Sequence, residues 1–190
     1  MRVIIAEDEA LIRMDLREML AEEGHEVVGE ARDGLEAVEL AGRLRPDVVF
    51  MDISMPRMNG IDAAAAINDQ RFAAVVMVTA FSQAALVEQA SRAGAMAFVV
   101  KPFSRSDIIP AMQIAVSRFA EAAALAAEIA DLSDRLETRK VVERAKGALM
   151  AKGMDEAEAF RRLQKQAMDR RKTLREVAEA VMLASEVAEP

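Results

Sequence analysis

The chain has 190 residues and a mass of 20.7 kDa, room for one large domain or two small ones at roughly 100–200 residues per domain. Its 25 Lys and Arg against 32 Asp and Glu leave a formal charge of −7, which excludes a wholly basic nucleic-acid binder. Zero cysteines exclude disulfides, thiolate nucleophiles, iron–sulfur clusters and cysteine-ligated zinc, and a single histidine excludes a multi-histidine metal site.

Alanine makes up 20% of the chain, which predicts a helix-rich protein, because alanine is a helix former before it is a core filler. No uninterrupted apolar run approaches the ~18 residues of a membrane span. The opening Met-Arg-Val-Ile-Ile-Ala-Glu-Asp is too short and too acidic for a secretory signal, so a cytoplasmic location without membrane contact is expected.

Over the first ~120 residues, short apolar runs alternate with helical patterns. The runs are residues 3–6, 27–31, 48–51, 75–79 and 97–100, rich in Val and Ile and apolar on both faces. Such runs, separated by amphipathic helices, predict a buried parallel sheet of five strands in a doubly wound α/β domain. His25 follows Glu23-Gly24 at a turn before the second strand, where an exposed turn residue is the expected reading and a phosphocarrier the alternative.

Five chemically distinctive residues fall at the C-terminal ends of these strands. Glu7 and Asp8 follow the first, Asp52 follows the third, Thr79 ends the fourth and Lys101 follows the fifth. Open parallel sheets bind ligands in that crevice. Three carboxylates there repel one another and call for a cation; oxygen-only ligands select a hard ion, and carboxylates plus water suit Mg²⁺. Carboxylate-bound Mg²⁺, a lysine and a hydroxyl are what an incoming phosphoryl group needs, and a carboxylate opposite it serves as nucleophile.

With Ile5-Ala6-Glu7-Asp8-Glu9, Met51-Asp52-Ile53-Ser54-Met55-Pro56 followed by Gly60, Val78-Thr79-Ala80 and Val100-Lys101-Pro102-Phe103, the first ~120 residues resemble the receiver domain of two-component response regulators. The resemblance implies a flavodoxin-like fold and phosphorylation of Asp52 by a sensor histidine kinase. It implies that Glu7, Asp8, Asp52 and the Ser54 backbone carbonyl hold Mg²⁺, and that Thr79 and Lys101 bind the phosphoryl oxygens. It also implies a cis Lys101–Pro102 bond. Phe98 stands at the family's aromatic switch position, often Tyr, and lacks the hydroxyl.

Beyond Ser104 the helical pattern runs to about Met150, broken only by Pro110, near the first turn of its helix, and Gly147. Ala122, Leu125, Ile129, Leu132 and Leu136 form a short heptad seam, so the last receiver helix is expected to continue as a coiled-coil stalk, with packing on its own domain as the alternative. Charge reverses after it. Residues 119–138 carry a net −4, whereas residues 139–175 hold 12 basic and 5 acidic side chains, a net +7. Three helices are expected there, over 141–151, 155–168 and 174–184, with Asp155 capping the second and Thr173 and Glu176 forming a capping box on the third. Phe160, Leu163 and Ala167 form one core stripe; Leu174, Val177, Ala178 and Val181 form another.

The density of Arg144, Lys146, Lys152, Arg161, Arg162, Lys165, Arg170, Arg171, Lys172 and Arg175 points to a phosphate-bearing partner. A helix-turn-helix for duplex DNA is one reading, but Glu176 and Glu179 on the last helix oppose insertion into a groove. With Ala145-Lys146-Gly147-x-Leu149-Met150, Glu158-Ala159-Phe160-x-x-Leu163-x-x-x-Ala167-Met168 and Leu174-x-x-Val177-Ala178, the tract resembles an ANTAR domain, the three-helix RNA-binding module of transcription antitermination regulators.

The resemblance implies a receiver over 1–120, a coiled-coil linker over 121–138 and an ANTAR domain over 139–190. It implies a non-enzymatic regulator that binds RNA stem-loops; Arg144, Lys146, Arg170, Arg171 and Lys172, placed near the first helix and at the turn before the third, are the expected RNA contacts. A phosphorylation-dependent homodimer is expected, and RNA polymerase is a further candidate partner. Two rivals stay open: a receiver-controlled DNA-binding factor, and a regulator that acts through protein contacts.

Overall fold

The computed structural model describes residues 1–80 and 84–186. Among the described residues there are five strands, β1 (Arg2–Ala6), β2 (Glu26–Ala31), β3 (Val48–Asp52), β4 (Ala74–Thr79) and β5 (Ala97–Val100). Between them run α1 (Ala10–Glu22), α2 (Gly34–Leu44), α3 (Gly60–Asp69) and α4 (Ala84–Arg92). All strand pairs are parallel, in the order β2-β1-β3-β4-β5, which is the expected doubly wound sheet.

Successive side chains of a strand point to opposite faces, so a strand buried on both must be apolar at every position. Accordingly Ile4, Val49, Met51, Val75 and Met77 pack against Ala37 and Ala41 of α2 and Ala63, Ala64 and Ile67 of α3. Val3, Ile5, Phe50, Val76 and Val78 face the other way, against Leu16 and Leu20 of α1 and Ile108, Met112 and Ala115 of the helix that follows β5. In register, Ala6 lies opposite Met51, Asp52 opposite Val78, and Thr79 opposite Val100. The ends of the central strands are therefore level. Residues one step beyond them share a single crevice.

That following helix, α5, spans Arg105–Met150 without a break. Its last turns are the first helix of the output unit, so the separate helix expected over 141–151 is in fact the end of the stalk. The cause is local: Gly147 is the one glycine or proline among residues 111–150, and a lone glycine costs a helix only about 1 kcal/mol. Pro110 lies inside the helix and supplies no amide to the preceding turn. One 18-residue stretch of α5 reaches a mean hydropathy of 1.3, enough by length and composition to cross a membrane. The sheet supplies a simpler reason for apolar residues here, since Ile108, Ala111, Met112 and Ala115 are buried against it.

The chain divides into two compact units, Met1–Ala123 and Ala124–Pro190. In the second, α6 (Glu156–Arg170) and α7 (Leu174–Glu186) join the end of α5. Their core is small: Val142, Ala145 and Leu149 from α5, Ala159 and Leu163 from α6, Val177 and Ala178 from α7. Both caps have the expected chemistry. Asp155 and Glu158 form a capping box on α6, and Thr173 and Glu176 bond reciprocally at the start of α7. Phe160 departs from its expected place in the core. It is 37% exposed, because Ala159, Leu163 and Ala167 set the buried face of α6 and Phe160 lies about 100° round the helix from Ala159. The seam residues Leu125, Ile129, Leu132 and Leu136 are all exposed.

Candidate functional site

Glu7, Asp52 and Thr79 are buried at the strand ends, Lys101 is half-buried and Asp8 is exposed. The Lys101 ammonium donates to Glu7 Oε2 at 2.7 Å and to Asp52 Oδ1 at 2.8 Å. The other Asp52 oxygen, Oδ2, accepts from the Ser54 amide at 2.8 Å. The backbone closes the pocket: the Glu7 amide donates to the Ala31 carbonyl at 3.0 Å and the Lys101 amide to the Thr79 carbonyl at 2.8 Å. The Lys101–Pro102 peptide is cis.

Burial dominates the electrostatics of Glu7. It pushes the carboxyl above its ordinary value, aided by the Asp52 charge and opposed by Lys101. Burial also pulls the Lys101 ammonium down, but hydrogen bonds and charge from Asp52 and Glu7 outweigh it and raise the group above its ordinary value. Lysine thus stays a cation between the two buried acids.

One carboxylate oxygen from each of Glu7, Asp8 and Asp52 can be chosen such that all lie within 4.8 Å of one another. This donor set is entirely oxygen and fits a hard divalent cation rather than zinc or copper. Close approach of the chain makes the crowding possible. A Cβ on Gly60 would lie 1.9 Å from the Asp52 carbonyl oxygen, so the turn that brings α3 against the end of β3 admits only glycine. Phe98 is half-buried in β5 and packs against the α2–α3 side of the sheet. His25 lies in the turn before β2, at the opposite end of the strands from the crevice.

Two residues outside this site, one of them on the loop that follows Asp52, are not legible as a pair in the sequence. Asp33 caps α2 through the Glu36 amide and also accepts from Arg57, 24 residues away on the β3–α3 loop. The only sequence trace of this is Asp33-Gly34 ahead of Glu36, which signals a helix start and says nothing of Arg57.

In the second unit, Arg144, Arg170, Arg171 and Lys172 are exposed, the last three consecutive at the end of α6 and the turn beyond it. Lys146 is different. Its side chain is only 10% exposed, and its ammonium contacts Glu156 at 2.6 Å and Glu143 at 3.1 Å. It ties the start of α6 to α5, so its charge is already engaged by two carboxylates of the same unit. Arg175 is likewise engaged, with Asp134 at 2.5 Å and Glu179 at 2.9 Å. The exposed face of α6 carries Phe160, Met168, Arg161 and Lys165.

Residues 3–113 match the response regulator receiver domain, and residues 130–182 match the ANTAR domain. Over 182 residues the chain is 64% identical to the transcriptional regulatory protein PdtaR of Mycobacterium tuberculosis, an alignment covering 95% of this chain and 89% of that protein. Among solved structures, the response regulator domain of Thermotoga maritima CheB aligns with a TM-score of 0.58 at 36% identity, over 62% of this chain and 96% of the other. The receiver domain of a Pseudomonas aeruginosa sensor histidine kinase, solved with a magnesium ion coordinated in its active-site cleft, aligns with a TM-score of 0.56 at 26% identity, over 61% of this chain and 97% of the other.

Proposed function

The chain belongs to the two-component response regulators that join a receiver to an ANTAR domain, and from that premise we propose that phosphorylation of Asp52 controls binding of the second unit to RNA stem-loops and thereby transcription antitermination. The observation that carries the reading is the buried carboxylate of Asp52, held between the Lys101 ammonium and the Ser54 amide beside Glu7 and Asp8, in a chain whose residues 139–175 carry a net +7.

The phosphoryl donor is a histidine of a sensor kinase, which this chain does not supply. An Asp52 oxygen attacks phosphorus, the phosphorus–nitrogen bond breaks, its electron pair leaves with the imidazole, and an acyl phosphate forms. Glu7, Asp8, Asp52 and the Ser54 backbone carbonyl would hold Mg²⁺, which supplies positive charge against the phosphoryl oxygens. Lys101 adds a second cation. It already contacts Asp52 and needs only to follow the oxygen to which the phosphoryl group is attached. Thr79 presents its hydroxyl to the same group, and Phe98 on the neighbouring strand responds by repacking.

The signal passes along α5. Leu125, Ile129, Leu132 and Leu136 recur at heptad spacing and are 51–59% exposed, which supports a phosphorylation-dependent homodimer through this seam. RNA contact falls to Arg144, Arg170, Arg171 and Lys172, with exposed Phe160 available to stack on an unpaired base. The setting is cytoplasmic, with nascent RNA and RNA polymerase as partners.

Exposure of the full-length protein to a small phosphodonor with Mg²⁺ should add ~80 Da, one phosphoryl unit, at Asp52. The phosphorylated protein should then scatter light as a larger species, a change abolished in Leu132→Glu because an unpaired charge would be buried in the seam. It should bind hairpin RNA more tightly than duplex DNA of equal length or an acidic protein. Tighter binding to a DNA duplex would replace RNA by DNA in this reading, and binding only to the acidic protein would replace it by a protein partner.

A further inference from the structure

Asp33 is 4% exposed, yet it is a carboxylate. Its Oδ1 accepts from the Glu36 amide at 3.0 Å, the ordinary duty of a helix cap. Its Oδ2 accepts from Arg57 Nε at 2.8 Å, with Nη2 of the same guanidinium against it. Arg57 is itself in an unusual state. Its φ of 60° lies in the left-handed region that residues with a Cβ avoid. Such a backbone persists where its surroundings over-determine it, and a buried carboxylate requires a charge-assisted partner. Each residue answers the other's need.

The next residue is pinned as well. The Gly34 amide donates to the Met58 carbonyl at 3.1 Å, and a Cβ on Gly34 would lie 2.6 Å from that oxygen. Residues 57 and 58 are thus held to the first turn of α2 from outside the pocket. At the pocket end, the Ser54 amide is bound to Asp52, and the Gly60 amide donates to the Ile53 carbonyl at 2.9 Å. Ser54 therefore sits in a loop, residues 53–59, fixed at both ends.

We propose that Arg57 and Asp33 form a latch that positions the β3–α3 loop, and through it the Ser54 carbonyl, for the divalent cation at Asp52. The inference rests on the phosphoryl-acceptor reading of the pocket. Both are positioning residues, since neither touches the cation or the phosphoryl group. The Arg57 side chain is 61% exposed, but its partner is buried, so removing the guanidinium leaves an unpaired carboxylate inside the protein rather than a broken surface pair.

Three variants of the full-length protein isolate the latch from its neighbours. Asp33→Asn retains an oxygen for the α2 cap while removing the charge. Arg57→Gly removes the guanidinium while keeping a residue at ease in the left-handed region, and Arg57→Lys restores a charge without the fork. Asp52 phosphorylation by a small phosphodonor is followed against Mg²⁺ concentration, and Mg²⁺ alone is titrated while the Ser54 amide resonance is observed.

In Asp33→Asn and in Arg57→Gly the half-saturating Mg²⁺ concentration should rise roughly tenfold, the lower end of the effects of disturbing groups that orient metal ligands. The limiting rate at saturating Mg²⁺ should stay within about twofold of wild type, Arg57→Lys should recover part of the affinity, and the double variant should be no worse than either single one. An unchanged half-saturating concentration in Arg57→Gly overturns the latch, as do additive effects or a fall in limiting rate alone. A wild type that neither binds Mg²⁺ nor takes phosphate overturns the pocket reading and the latch with it.

Discussion

The two units of this chain use charge in opposite ways. In Met1–Ala123 the charges that matter are few and largely withdrawn from solvent: buried Glu7 and Asp52 and half-buried Lys101 form a bonded cluster at the ends of three different strands. In Ala124–Pro190 they are many and mostly exposed, with the cations gathered over residues 139–175, where 12 basic face 5 acidic side chains around a core of mostly small residues. Chemistry on one phosphoryl group gains from fixed, desolvated charges that need no rearrangement. Binding a polyanion gains from cations at the surface, where they displace counterions. Lys101 and Arg171 are both cations, but only the first must sit within a fraction of an ångström of a particular oxygen.

The sharpest way to break this contrast is at Asp52. Asp52→Asn should abolish phosphoryl uptake completely by mass spectrometry, and equal labelling of that variant would move the acceptor elsewhere. The next largest effect tests how tightly the receiver is built. Gly60→Ala should cost the receiver roughly 3 kcal/mol, because its Cβ meets the Asp52 carbonyl and the turn must shift. Amide hydrogen exchange should report that loosening in residues 1–123 and leave protection in α6 and α7 unchanged.

In the output unit the same logic reverses. Replacing Arg170 and Arg171 with Ala should leave phosphorylation intact and flatten the logarithmic dependence of RNA affinity on salt by roughly one unit for every phosphate no longer neutralised. Lys146→Met should do the reverse of its neighbours, lowering the thermal midpoint while leaving that slope unchanged, since its ammonium is occupied by Glu143 and Glu156. A reduced slope in Lys146→Met would return it to the RNA-facing set.

The smallest effect concerns pH. The hydrogen bond from Lys146 holds the Glu156 carboxyl below its ordinary 4.5, so the unfolded chain binds more protons than the folded one as acid is added. The stability this contributes is present above pH 4.5 and disappears as pH falls through the folded value. Glu156→Gln should therefore flatten the acid limb of the unfolding curve of this unit, measured by circular dichroism between about pH 6 and pH 3.

Much of the architecture is written along the chain. Strands buried on both faces read as continuous Val and Ile runs, and Asp155 with Glu158 marks a helix start, because these signals depend on residues a few positions apart. Parallel connectivity alone places Glu7, Asp52, Thr79 and Lys101 at one edge of the sheet, and the observed register does bring Glu7, Asp52 and Lys101 into contact. What escapes the sequence is decided by packing between distant segments. Composition makes Lys146 one cation among the twelve of residues 139–175, and only the approach of α6 to α5 gives it two carboxylates. Hydrophobicity places Phe160 in the core, but the face of α6 that turns inward is chosen by the smaller Ala159 and Leu163. Arg57 finds Asp33 only when the β3–α3 loop turns back on α2 in a conformation that no local preference of arginine would select. Local pattern determines which elements form and which ends they present; which exposed-looking side chain becomes a buried partner depends on the fit of surfaces that meet only in the folded chain.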